Sequence, residues 1–243
     1  MSELSPAVIV SGSAGGIGQA ICRRFRGAGY FVVGFDRVEN PEVDEWIAVD
    51  MADSESVRDV AAGVCKQHAV SVVVHNAATQ PLAAAGETPV DAFLETMRVN
   101  VIAADSLVAG SRKSLAELHG AVVVVSSVHA HATARNINAY ATSKAALEGW
   151  VRSAAIDLAP AVRVNAVRPG AINTAKLHEG FARWGDDADA RWGMLEARTP
   201  LGRVGEATDV AAAVHFLASS DAAFITGSTL VVDGGATALL GTE

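Results

Sequence analysis
The sequence predicts a doubly wound α/β fold: one domain, residues 1–243, in which a parallel sheet of about seven strands carries helices on both faces. Three observations point there. The apolar runs at 7–10, 70–74 and 122–125 are short, interrupted only by Ser71, as expected of strands buried on both faces of a parallel sheet. Segments with apolar residues at helical spacing separate them. The first run leads directly into Gly12-x-x-x-Gly16-x-Gly18, a glycine turn that opens a helix.

Composition admits this fold and narrows the partners. The 243 residues are 50% hydrophobic and 19% charged, enough to bury a sizeable core. With 19 basic and 27 acidic residues the formal charge is −8, and no Lys/Arg cluster is present, so neither nucleic acid nor a membrane surface is an expected partner. The run at 7–10 is too short for a signal sequence and no stretch reads as a transmembrane span, so a cytoplasmic location is expected. Cys22 and Cys65 fall in helical segments beside apolar residues and are expected as buried thiols rather than a disulfide. No metal is expected.

In chain order, the strand at 7–10, the turn from Ser11 to Gly18 and a helix over about 17–26 form a pyrophosphate site. The glycines permit a tight turn and let backbone N–H groups approach phosphates, while the helix end adds partial positive charge. The turn lacks the Lys-Ser/Thr ending of a triphosphate-binding loop, which argues against an ATPase or kinase. The second strand, 30–35, ends at Asp36. An acid there accepts hydrogen bonds from adenosine ribose hydroxyls and repels a 2′-phosphate, which favours NAD over NADP. Arg37 keeps NADP open, since it could hold that phosphate if Asp36 turned aside.

A third strand at 46–49 ends at Asp50-Met51, and Asp53 caps a helix to about 68. The fourth strand, 70–74, leads into His75-Asn76-Ala77-Ala78. Thr88-Pro89-x-Asp91 reads as a helix start, with Thr88 as cap and Pro89 in the first turn; Asn100 lies inside that apolar helix. The fifth strand, 122–125, ends at Ser126-Ser127, where a parallel strand delivers side chains to a ligand crevice. On the following helix, 139–158, Tyr140 and Lys144 are i and i+4 and share a face. A fixed cation lowers a phenol from ~10 by roughly 1–3 units, which makes it a proton donor or acceptor near neutral pH. The sixth strand, 162–167, runs into Arg168-Pro169-Gly170-Ala171-Ile172-Asn173-Thr174. Residues 175–205 follow no regular pattern. A helix at 206–219 and a strand at 229–232, ending in Asp233-Gly234-Gly235, close the chain.

Ser127, Tyr140 thirteen positions on, and Lys144 together resemble the catalytic Ser…Tyr-x-x-x-Lys of the short-chain dehydrogenase/reductase family. Gly12-x-x-x-Gly16-x-Gly18 matches that family's variant of the dinucleotide fingerprint, and the likeness runs in order from Val8 to Gly235. It departs at Ser11, where the family has Thr, and at His75 and Ala78, where the family's pattern is Asn-Asn-Ala-Gly.

The resemblance implies a Rossmann-type NAD(P)-binding domain with a substrate-covering lid at about 175–205. It implies that Ser127 hydrogen-bonds the substrate oxygen, Tyr140 transfers the proton, Lys144 stabilises tyrosinate and binds the nicotinamide ribose, and Asn100 holds a water that links Lys144 to solvent. Cofactor contacts are implied for Gly12, Ser13, Gly16, Ile17, Gly18, Asp36, Arg37, Asp50, Met51, Asn76, Ala77 and Ala78. On the nicotinamide side they are implied for Tyr140, Lys144, Pro169, Gly170, Ile172 and Thr174.

The expected activity is NAD-dependent interconversion of a secondary alcohol and a ketone, in a homotetramer or dimer. Rival readings are an NADP-dependent reductase of 3-oxoacyl type, a non-catalytic NAD-binding or scaffold protein, and an S-adenosylmethionine-dependent methyltransferase, which has no need of Tyr140 and Lys144. A longer nucleotide-sugar epimerase would need a further substrate domain. His129, His131, Arg183, Trp184, Arg191 and Trp192 border the expected pocket mouth as candidate substrate contacts.

Overall fold
The computed structural model describes residues 5–182 and 184–240, so Arg183 lies outside the described residues. Three strands at its centre, β1 (Ala7–Ser11), β4 (Val70–His75) and β5 (Ala121–Val125), carry these apolar runs. Their neighbours are β2 (Phe31–Asp36) and β3 (Glu45–Ala48) on one side, and β6 (Arg163–Pro169) and β9 (Thr229–Val232) on the other. The order across the sheet is β3-β2-β1-β4-β5-β6-β9, and every neighbouring pair is parallel.

The runs are apolar because both faces of the sheet are covered. Ala7 and Ile9 pack toward α2 (Ser54–Gln67), α4 (Ala103–Glu117) and α5 (Asn138–Leu158). Val8 and Val10 pack toward α1 (Gly16–Gly27) and α8 (Ala207–Ala218). Each fully buried Val or Leu adds about 1.5–3 kcal/mol relative to exposure. The strand order reverses between β1 and β4, and in such sheets the crevice outside the carboxyl ends at the reversal takes the ligand.

Local chemistry sets the helix starts. Asp53 caps α2 by accepting from the Ser56 N–H at 3.1 Å. Thr88 does not cap the next helix, contrary to the sequence expectation. Pro89 itself is the capping position of α3 (Val90–Met97), with no side-chain cap, and the Thr88 hydroxyl is buried without a hydrogen-bond partner. The apolar helix expected here is also not uniform. A π-helical turn, Arg98–Ile102, joins α3 to α4 and carries Asn100. Such turns are widened one-turn insertions that frequently mark functional sites.

Residues 175–205, irregular in sequence, contain α6 (Ala175–Ala182) and α7 (Ala188–Ala197), followed by Gly205–Glu206 as β8, which pairs with β7 (Ile172–Asn173). Neither of these two helices has a buried residue among those described. Cys22 is buried and Cys65 partly buried, and both thiols are free. Burial pushes the Cys22 thiol up to about 12, which leaves it inert. Among the described residues no helix is long and apolar enough to cross a membrane.

Candidate active site
The glycine turn is held from three sides. Gly12 has φ +65°, and a Cβ there would lie 2.7 Å from the Ala77 Cα. A Cβ on Gly18 would lie 2.0 Å from the Gly12 carbonyl oxygen, so the helix start and the turn touch backbone to backbone. Asn76 braces the turn through its Nδ2, which donates to the Gly12 carbonyl at 2.9 Å. The Ser11 hydroxyl accepts from the Asn76 and Ala77 N–H groups, at 3.1 and 3.2 Å. The same hydroxyl shares a hydrogen bond with His75 Nδ1 at 2.9 Å. Asn40, missed in the sequence, is buried and donates to the Ser13 carbonyl at 2.8 Å. An Asn just beyond strand two carries no spacing signal of its own.

Asp36 reaches into this turn. One carboxylate oxygen accepts from the Ala14 N–H at 3.0 Å and the other from the Val38 N–H at 3.1 Å. Arg37 beside it is exposed. Asp50 is exposed and accepts from the Ala52 N–H at 2.9 Å, whereas Met51 is buried. Across the crevice, a Cβ on Gly16 would meet the Thr174 Cγ2 at 2.9 Å, so only glycine lets the segment after β6 close on the start of α1. Gly170, in turn, donates its N–H to the Val232 carbonyl at 2.9 Å and lies against Asp233.

These groups fit a dinucleotide. The start of α1 has no side-chain cap, which leaves its first-turn N–H groups for phosphate oxygens. Asp36 stands at the carboxyl end of β2, with Asp50 and Met51 following β3. Pro169, Gly170, Ile172 and Thr174 form the opposite wall.

The remaining residues meet at the carboxyl end of β5 and on α5. Lys144 is 1% exposed and donates from Nζ to the Val125 carbonyl at 2.7 Å. Its Nζ lies 5.6 Å from the centre of the Tyr140 ring. Burial lowers the Lys144 ammonium to about 7, assisted by the charge of Lys176 and opposed by that of Glu148. Burial raises the Tyr140 phenol, and a hydrogen bond from Ser127 opposes the rise. The sequence expectation of a phenol shifted down by Lys144 is therefore corrected: in this geometry desolvation wins.

Ser127 is buried, and its Oγ accepts from the His129 N–H at 3.3 Å. Asn100 is fully buried. Its Nδ2 donates to the Thr79 carbonyl (3.0 Å) and to Ser143 Oγ (2.9 Å), and its Oδ1 accepts from the Thr79 N–H (2.8 Å). Asn100 thus joins the loop after β4 to α5, one residue from Lys144. The His75 ring, lowered to about 3 mainly by burial and further by the Lys144 charge, packs against the backbone of Val99 and Asn100.

The candidate substrate contacts divide. His129 packs edge-on to Tyr140, with ring centres 6.0 Å apart, and burial lowers its imidazole. His131 is exposed. Trp192 stacks on His178 at 4.9 Å and donates to Glu196 at 3.1 Å, while Arg191 lies 3.6 Å over the Trp184 ring. Trp192 and Arg191 thus hold the segment's own helices together. Lys176, on the first turn of α6, was not singled out in the sequence, yet its charge reaches Lys144. A cavity of about 620 Å³ opens beside Ile172, Leu201, Val232 and Asp233; it adjoins the Gly170 turn, and neither Ser127 nor Tyr140 lines it. Among the described residues no group of three or more His, Cys, Asp or Glu could hold a metal ion.

Comparison with known proteins shows which chains this one is similar to in sequence and fold. A family model described as Enoyl-(Acyl carrier protein) reductase matches residues 12–237. An uncharacterized short-chain type dehydrogenase/reductase of Sinorhizobium fredii is 33% identical over 94% of the chain, which spans 43% of that longer protein. The 2-(R)-hydroxypropyl-CoM dehydrogenase of Xanthobacter autotrophicus is 33% identical over 97% of the chain and 100% of its own length. Among solved structures, ligand-free aldohexose dehydrogenase of Thermoplasma acidophilum superposes with a TM-score of 0.93 at 28% identity, covering 99% of both chains.

Proposed function
The chain belongs to the short-chain dehydrogenase/reductase family, and from that membership we propose that it oxidises a secondary alcohol to a ketone, or the reverse, with NAD(H) as the preferred cofactor. The observation that carries the reading is a buried ammonium, Lys144, held on one helix face with Tyr140 and against the strand end that presents Ser127. A lysine this deeply desolvated destabilises the fold, which favours a functional reason for keeping it.

In this reading Ser127 donates a hydrogen bond to the substrate oxygen, where charge develops. Tyr140 takes the alcohol proton. That transfer converts a tyrosinate to the neutral phenol; the Lys144 charge stabilises the tyrosinate before it, and Asn100, on the π-turn, would hold a water on the proton's route to solvent. Bound nicotinamide supplies the hydride acceptor or donor. Gly12, Ser13, Gly16, Ile17 and Gly18 would hold the pyrophosphate, with Asp36, Arg37, Asp50, Met51 and Asn76–Ala78 around the adenosine. Pro169, Gly170, Ile172 and Thr174 would hold the nicotinamide end. The preference for NAD rests on Asp36 reaching the loop while Arg37 points to solvent. The 175–205 segment serves as the lid over the substrate.

A homotetramer belongs to the same proposal. It is supported by the half-exposed Leu230 and Val231 on the edge strand β9 and by Ile156 on α5. A single 25 kDa species in light scattering would overturn that part.

The test is NADH formation, followed by absorbance, across secondary alcohols and across a pH range on both sides of neutrality, with Tyr140→Phe alongside. Turnover that vanishes in the variant while NADH still binds is the expected result. Turnover that survives in Tyr140→Phe would remove Tyr140 from the chemistry. Failure of the wild-type chain to bind either nicotinamide cofactor would overturn the reading as a whole.

A further inference from the structure
Glu148 is 6% exposed, one helical turn beyond Lys144 on α5, and no motif in the sequence accounts for it. A buried carboxylate is costly unless it is paired and hydrogen-bonded. Here it is both. Oε1 accepts from the Ser126 hydroxyl at 2.7 Å and from Arg168 Nε at 2.9 Å, while Oε2 accepts from Arg168 Nη2 at 2.5 Å. The guanidinium therefore grips the carboxylate through two parallel bonds, the geometry that fixes orientation as well as charge.

The three segments joined are those that carry the proposed chemistry. Ser126 stands between Val125, whose carbonyl holds Lys144, and Ser127. Arg168 stands immediately before Pro169 and Gly170 at the end of β6. Glu148 shares its helix with Tyr140 and Lys144. On the basis of this juxtaposition, and resting on the reading above, we propose that Glu148 is a positioning residue: its carboxylate locks the Ser127 strand end, the Tyr140–Lys144 helix and the Pro169–Gly170 turn into one frame, and it is the counter-charge behind Lys144.

The electrostatic surroundings agree. Lys144 is faced by Tyr140 and Glu148 from its own helix, by His75 from β4 and by Lys176 from α6, with Arg168 behind Glu148. His75 is kept neutral by burial. Of these groups, Glu148 favours the charged form of Lys144, against burial and Lys176.

Glu148→Gln keeps the size and an acceptor oxygen and removes the charge. Lys144 would then lose its proton at lower pH, by roughly half a unit to one unit. Two readouts follow it. One is the titration of Lys144 itself, by NMR on protein labelled with ¹³C at the lysine ε-carbon and assigned with Lys144→Arg; it requires no turnover. The other is the alkaline limb of the kcat–pH profile, which should move down by the same amount, with kcat falling several-fold and the cofactor KM nearly unchanged. Glu148→Asp, which keeps the charge but shortens the reach, should restore the titration and not the full kcat.

A folded Glu148→Gln whose Lys144 titration and pH profile both match the wild type overturns the proposal. If Arg168, left unpaired, prevents folding, the Glu148→Gln/Arg168→Gln pair must still show a downward movement, a smaller one because loss of the Arg168 cation acts in the opposite sense; no movement there is equally fatal. A chain in which the Lys144 titration moves but no alcohol is turned over supports the role of Glu148 and counts against the dehydrogenase reading instead.

Discussion
Asp36 has its two carboxylate oxygens on different parts of the site, one on the Ala14 N–H of the glycine turn and one on the Val38 N–H beyond β2. A 2′-phosphate would need the same space as that carboxylate, at like charge. Removing the carboxylate leaves the exposed Arg37 as the nearest formal charge in this stretch of chain. Asp36→Ala should therefore lower the ratio of kcat/KM for NAD over NADP by at least tenfold, about 1.4 kcal/mol of selectivity. Steady-state kinetics with both cofactors decides it, and an unchanged ratio takes Asp36 out of the argument. Asp36, Tyr140 and Lys144 were legible in the sequence because each falls at a fixed offset from a turn or within one helical face. The pairing of Glu148 with Arg168 was not, because the two lie twenty positions apart and on different elements, so only the fold brings them together. The direction of the Tyr140 shift also escaped, since spacing reports a neighbouring charge and says nothing of burial.

Among the elements, the start of α1 is the least tolerant of change. A methyl on Gly18 would press on the Gly12 carbonyl oxygen at 2.0 Å, and neither side is a flexible side chain that could step aside. Gly18→Ala is expected to weaken NADH binding at least tenfold, measured by fluorescence titration, and to lower the melting temperature. Gly63→Ala in α2, where a Cβ meets nothing within 4 Å, is the control and should gain roughly 0.5–1 kcal/mol. Equal behaviour of the two variants would show that the close approach at Gly18 is unimportant. The central strands and α5 were readable because burial on both faces, or on one helical face, imposes a pattern. The helices α6 and α7 were not: each is short, ten residues or fewer, and neither has a buried residue among those described to anchor its pattern. The π-turn at Asn100 has no sequence signature, and Thr88 had the right chemistry one position too early.

For the molecule as a whole, two buried bases contribute to the pH dependence of stability. Lys144 is lowered to about 7 from its ordinary 10.5, so between those values the unfolded chain binds more protons and stability rises with pH. The cost is present in full below pH 7 and has gone above about 10.5. Lys144→Met should accordingly melt at higher temperature than the wild type at pH 6, with an advantage that shrinks through pH 8 to pH 10, while turnover is lost. Calorimetry at those three values checks this, and a variant no more stable at pH 6 would contradict the burial argument. His75, lowered to about 3, acts in the same sense at more acid pH, where stability falls as pH drops below 6.5.

The Pro169–Gly170 turn is completed from far along the chain: Gly170 donates to the Val232 carbonyl and rests on Asp233, both supplied by the last strand and its end. At ~5–20 residues per second of synthesis, some 60 residues separate the making of that turn from the arrival of its support, roughly 3–12 s. During that interval the segment after β6 lacks the carbonyl of Val232 and the backbone of Asp233 that hold Gly170 in the folded chain.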